Sequence, residues 1–254
     1  MVIEGLDNDA EGEGLGMSLA ETAKPARRSY AKSAAIRQRI LDACVKAFGN
    51  SGFYGATMKD IAARAEMSHT GLLHHFPTKE SLLLAVLDYR DERSTAVWQA
   101  ALDRLGETPE NTVRSILAPV MANEFEPGLA ALHASLSAEA TNTDHPAHDY
   151  FRKRYQVFRA YYEARFEEMA ASGQLITTMT PRALAFAFVA LLDGLEVQWL
   201  YEQSDFKMED IIEEFLSAIT RPSDTAGARI GDDPQSSPTR APLLLPSDRN
   251  RIAH

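Results

Sequence analysis

Ser68, His69 and Thr70 stand side by side in the run TMKDIAARAEMSHTGLLHHFPTKE, residues 57–80, with Gly71 next and His74, His75 and Lys79 one and two helical turns on. These side chains share one chemistry: hydroxyl, imidazole and ammonium groups donate hydrogen bonds to anionic oxygen. At the N-terminus of a helix such donors are joined by free backbone N–H groups and the positive end of the helix dipole, a setting suited to phosphate or to the edges of bases. Thr57 and Lys59 offer similar donors in the preceding helical pattern, and Arg28 adds a basic side chain upstream. The acidic pairs make a poorer case for catalysis. The paired acids Glu167–Glu168, Glu209–Asp210 and Glu213–Glu214 are neighbours in sequence, and neighbours on a helix point in different directions. Nucleophile elbow, phosphate loop, dinucleotide fingerprint and zinc-protease motif are all missing.

The elements that must hold these residues read as helices. Ile36, Ile40, Ala43, Ala47 and Phe48 keep helical spacing, and the glycines of SGFYG end that pattern. Thr57 is suited to cap a second helix, with Asp60 in its first turn and Ile61, Ala62 and Ala65 on its apolar face. Ser68 caps a third, expected to run to about His75, where Phe76 and Pro77 end it. Two short helices joined by a tight turn form a helix-turn-helix unit, which offers its second helix to the major groove of DNA. Charge agrees. The chain carries a net −10, yet between Arg27 and Lys79 nine basic residues face three acidic ones, so a basic module sits on an acidic body.

The residues ILDACVKAFGNSGFYGATMKDIAARAEMSHTGLLHHFPTKESLL resemble the DNA-binding domain of the tetracycline-repressor (TetR) family. The resemblance is carried by Phe48, Gly52, Phe53, Thr57, Asp60, Ile61, Ala62, Ala65, Ser68, Gly71, Leu73, His75, Phe76, Lys79, Glu80 and Leu82. Two positions depart from the family pattern. Glu66 stands where the turn glycine is usual, which predicts a strained or differently shaped turn, and His74 replaces the usual tyrosine. The resemblance implies an all-α fold. A three-helix helix-turn-helix domain at 29–78 is followed by a helical effector-binding and dimerisation domain at 79–220. Together with the helix-terminus chemistry it points to DNA contact at Thr57, Lys59, Ser68, His69, Thr70, Gly71, His74, His75 and Lys79, while Arg28, just before the first helix, reads equally as plain solubilising charge or as a basic arm reaching along the backbone or into the minor groove. Farther on, LLDGLEVQWL and FKMEDIIEEFLSAI resemble the last two helices of members with a BetI-like C-terminal half, where the two helices of each subunit form a four-helix dimer interface. On that reading Phe188, Leu191, Leu192, Gly194, Leu195, Trp199 and Leu216 meet a second copy.

Between these ends the chain reads as further helices, at about 79–104, 110–124, 128–140, 147–172, 181–203 and 208–220, with no strand run. Trp98, Phe125, His133, Phe151, Tyr155, Phe158 and Tyr162 are the candidates for a pocket holding a small, largely apolar effector, with the two tyrosines offering hydroxyl tips. His145 and His148 in DHPAHD are three apart, a weak metal signal that reads better as a polar loop and helix start. The single cysteine, Cys44, lies on an apolar helix face and excludes an internal disulfide. No cofactor and no membrane span is expected, and a cytoplasmic location follows from that reading. Residues 1–28 and 221–254, rich in Gly, Pro, Ser and acids, read as disordered tails. The expected function is a homodimeric transcriptional repressor that binds double-stranded, palindromic operator DNA. The rival readings are an all-α interaction module and an all-α enzyme or metal-binding bundle that uses the His and carboxylate residues near 133–149.

Overall fold

The computed structural model describes residues 23–203 and 206–221, without the side chains of 23–31 and 123–125, so Arg28, Phe125, the N-terminal tail's side chains and residues 222–254 of the C-terminal tail lie outside the described side chains. Among the described residues ten helices follow in order: α1 (Ala23–Gly55), α2 (Met58–Arg64), α3 (His69–His75), α4 (Lys79–Leu105), α5 (Pro109–Arg114), α6 (Leu117–Phe125), α7 (Pro127–Glu139), α8 (His148–Ala171), α9 (Pro181–Tyr201) and α10 (Met208–Ile219). Among the same residues the only β pairing is an isolated bridge between Leu175 and Thr220.

Helix starts follow local chemistry. The hydroxyls of Thr57, Ser68, Thr78, Thr108 and Thr180 each accept a backbone N–H three residues on, and Thr78 and Ser81 cap each other reciprocally. Two boundaries differ from expectation. Residues 23–28 already belong to α1, upstream of the boundary expected at 28. The helix expected at 110–124 is two helices, broken around Ser115, whose hydroxyl turns back to Thr112 O at 2.7 Å. Pro119 explains the break, because its ring excludes the carbonyl of residue 115 from a regular helix.

Ile40, Cys44, Phe48, Ile61, Leu72, Leu82 and Leu83 form the fully buried centre of the helix-turn-helix region. Burial also pushes the Cys44 thiol up, so it packs as a small apolar group. In the second half α8 packs along α9, with Phe188 at the crossing. Its ring meets Tyr162 edge-on at 4.9 Å and Phe166 at 6.0 Å, and stacks on Phe215.

Two expectations about α9 change. By length and composition alone this 21-residue helix is apolar enough to cross a membrane, contrary to the reading that no such run exists. Its buried face packs in the core, however, and Asp193 and Glu196 interrupt it. Second, the stripe expected at a dimer interface points inward. Phe188, Leu195, Trp199 and Leu216 are buried within one chain, Leu191 packs against the same core, and Leu192 lines an internal cavity. The helix is apolar on more than one face, so spacing alone could not tell which face the protomer covers itself. Phe186, Val197 and Tyr201 are the large apolar residues that α9 leaves exposed, with Ile211 on α10.

Candidate DNA interface and ligand cavity

The turn between α2 and α3 is a helix C-cap of the Schellman type. Glu66 N donates to Ala63 O at 3.1 Å and Met67 N to Ala62 O at 3.0 Å. Such a cap needs a left-handed residue at its apex, and Glu66 sits there with φ 55°, the only non-glycine residue with positive φ among those described. The shape of the turn is thus kept while a side chain bears the strain. Glu66→Gly is expected to raise unfolding stability by about 0.5–1 kcal/mol, the left-handed penalty less the added freedom of the unfolded chain. Urea denaturation measures it, and an unchanged or lower midpoint would contradict the assignment of strain.

From this turn α3 emerges with Ser68 as N-cap, its oxygen accepting Gly71 N at 3.0 Å. A Cβ at Gly71 would lie 3.1 Å from that same oxygen, so glycine leaves the cap room. His69, Thr70, Leu73 and His74 are exposed on α3, as are Thr57, Lys59 and Ser68, while Leu72 is buried. His75 is half-buried. Lys79 stands apart from this group. Its ammonium lies 4.5 Å from the Phe53 ring centroid, and burial holds its pKa below the usual lysine value against the opposing pull of Glu80 and Glu139. Its charge therefore helps to hold α4 to the end of α1.

The two histidines considered for a metal do separate jobs. His145 Nδ1 accepts Ala147 N at 3.1 Å, and its ring lies edge-on to Phe53 and Tyr54. His148 Nδ1 donates to Ala140 O at 2.8 Å. Among the described residues no three potential metal ligands converge.

A cavity of about 100 Å³ opens among α4, α6, α8, α9 and α10, with His133 of α7 in its wall. Of the predicted pocket residues Trp98, His133, Tyr155, Phe158 and Tyr162 line it. Phe151 does not; it packs behind, 5.6 Å from the His133 ring. Sequence reasoning missed Arg90, Arg154, Asp193 and Glu196, which bring charge into what was expected to be a largely apolar wall. Buried Asp91 holds this group together, accepting hydrogen bonds from Tyr150 Oη and Arg154 Nη1 with Arg90 Nη1 at 3.8 Å. Burial alone would lower the pKa of Arg154, but Asp91 and the other acids hold it above the usual value. His133 is pushed below the ordinary histidine range, by burial first and then by Arg90, so it sits there as a neutral imidazole. No periodicity announces these charges, because they come from separate helices.

Residues 40–86 match the family model of the bacterial regulatory proteins, tetR family, and residues 109–221 match that of the BetI-type transcriptional repressor, C-terminal. The chain belongs to the TetR family. It is a DNA-binding transcriptional regulator of the helix-turn-helix type. Among curated relatives, the HTH-type transcriptional regulator UidR of Escherichia coli K12 is 26% identical over 174 residues, covering 67% of this chain and 86% of UidR. RutR of the same organism is 38% identical over 81 residues, 32% of this chain and 36% of RutR. Among solved structures, AibR in complex with isovaleryl coenzyme A and operator DNA shares the fold, with a TM-score of 0.58 at 22% identity over 74% of this chain and all of that one.

Proposed function

We propose that this TetR-family regulator is a homodimeric repressor that leaves a palindromic operator when a small molecule fills the cavity. Supporting this reading above all is the position of α7, which faces the cavity and α1 at once. His133 lines the cavity. On the opposite side, Ser135 Oγ donates to Gly49 O at 3.2 Å, and Glu139 Oε2 accepts Phe53 N at 2.7 Å. Glycines let the helices approach, since a Cβ at Gly49 would come within 3.2 Å of Gly128 O and Leu132 N. Movement of α7 on ligand binding would thus pass directly to the end of α1 and, through Phe53 and Lys79, to α4. AibR itself is known with both a ligand and operator DNA, which supports the same pairing here. Such an effector acts only as far as it binds one of the two states better.

The dimer would form on the outward faces of α9 and α10. Phe186, Val197, Tyr201 and Ile211 are exposed there, and a Cβ at Gly194 would meet nothing within 4 Å. Two recognition helices about 34–36 Å apart would then reach successive half-sites on one face of DNA. Operator contact falls to Thr57, Lys59, Ser68, His69, Thr70, Gly71 and His74, with His75 and Lys79 at the edge and Arg28 upstream.

Selection of bound fragments from random and genomic DNA at two salt concentrations tests the reading. Enrichment of a palindrome at both is expected; binding that vanishes at higher salt without enrichment would defeat it. Within the enriched site, His69→Ala and Thr70→Ala are expected to weaken specific binding by about 1–3 kcal/mol each while changing random-DNA affinity little. Lys59→Ala should weaken both alike and flatten the salt dependence. Equal losses on both DNAs for all three would reassign His69 and Thr70 to the phosphate backbone.

A further inference from the structure

The charged wall of the cavity narrows the kind of molecule it accepts. Arg90 is only 5% exposed, yet its Nε and Nη1 have no hydrogen-bond partner among the described residues. Its ion pairs, to Asp91 Oδ1 and to Glu196 Oε1, are both 3.8 Å long, beyond hydrogen-bond reach. Arg154 is different: it is hydrogen-bonded to Asp91, and its guanidinium lies 4.4 Å from the centroid of the Phe158 ring. Asp193 is held below the usual carboxylate range: burial would raise it, but hydrogen bonds from His133 and Tyr155 outweigh that. His133 Nε2, 3.3 Å from Asp193 Oδ1, is therefore the protonated nitrogen, and buried Nδ1 is a lone-pair acceptor with no partner among the described residues.

We propose that the cavity takes an uncharged, mostly apolar small molecule carrying a carbonyl oxygen, which accepts the free N–H groups of Arg90 while its apolar body packs among Trp98, Phe158, Tyr161 and Tyr162. This rests on the reading of the cavity as the effector site. Charge decides against the alternatives. Two guanidinium groups, Arg90 and Arg154, already answer three carboxylates, Asp91, Asp193 and Glu196. A ligand carboxylate would add a further anion to a group in which carboxylates already outnumber guanidiniums. A ligand cation would meet the unfilled donors of a guanidinium, which need an acceptor. A plain hydrocarbon would leave those donors dry.

Three probes of one shape separate the classes: 4-phenyl-2-butanone, 3-phenylpropanoate and 3-phenylpropylammonium. Each is titrated into the full-length protein, with binding read from tryptophan fluorescence, since Trp98 lines the cavity. The ketone is expected to bind at least about tenfold more tightly than either ion, and Arg90→Met to weaken the ketone about tenfold by removing its donors. Should Arg90→Met fail to fold, the ranking of the three probes on the unaltered protein still decides. Equal or tighter binding of either ion, or no saturable binding of any probe at millimolar concentration, overturns the proposed class. Ketone binding that leaves operator affinity unchanged would instead count against the effector reading and keep the ligand class.

Discussion

Asp91→Ala is expected to cost about 3–5 kcal/mol of folding stability, because it breaks a buried ion pair from one side only. Asp91 is fully buried, and both its oxygens are engaged: Oδ2 by the Tyr150 hydroxyl, Oδ1 by Arg154, with Arg90 close to Oδ1 as well. Alanine would leave the Arg154 guanidinium and the Tyr150 phenol without their shared acceptor, and Arg90 without a nearby counter-charge, in a space water does not reach freely. Tyr150 already has its pKa raised well above the ordinary value, by burial first and by Asp91 second, so it cannot ionise to take over the charge. Asp91→Asn, which keeps an acceptor for Tyr150, should cost less. Urea unfolding of the two variants provides the comparison. A loss below about 1 kcal/mol for alanine would mean that the arginines find other partners at little cost. Since Arg90 and Arg154 line the cavity, the alanine variant should also bind cavity ligands poorly at temperatures where it is still folded.

This buried group marks the limit of what the sequence could reveal. The helix-turn-helix was legible because every signal in it is local. Thr57 and Ser68 cap the helices they precede, Phe76 and Pro77 close α3, and the departure at Glu66 fell where a left-handed residue is needed. The cavity was legible only in its aromatic half. Trp98, Phe158 and Tyr162 stand out in any sequence as large apolar groups. Arg90 and Asp91 on α4, Arg154 on α8 and Glu196 on α9 look like ordinary solvated charges until the helices are brought together. A pairing between residues on helices far apart in the chain leaves no periodic trace. The same limit explains α9. Its apolar stripe was seen, but whether Phe188 or Phe186 faced the protomer's own core depends on where α8 lies, and that is a tertiary fact.

Gly52→Ala is expected to cost about 3 kcal/mol or more, from two sources that can be measured apart. Gly52 has φ 65° and ψ −176°, a backbone region essentially reserved for glycine, and it ends the regular part of α1 there. An added Cβ would also lie 1.8 Å from Glu139 Oε1. That carboxylate is the end of a flexible side chain and can swing aside, so the overlap alone is cheap. What is lost in swinging is its hydrogen bond from Phe53 N and its approach to His145 Nε2 at 3.5 Å. Glu139→Ala should therefore cost about 1.5–3 kcal/mol in the natural background, the range for a hydrogen bond to a charged group. In the Gly52→Ala background it should cost much less, because the carboxylate has already been displaced. A double-mutant cycle in urea reads this coupling directly, and additive losses would show that the two residues act independently. The cycle also bears on regulation. If α7 carries the signal from cavity to α1, Glu139→Ala should leave operator and ligand affinities measured separately near their natural values. The effect of ligand on operator affinity should shrink, since only the link between the two sites has been cut.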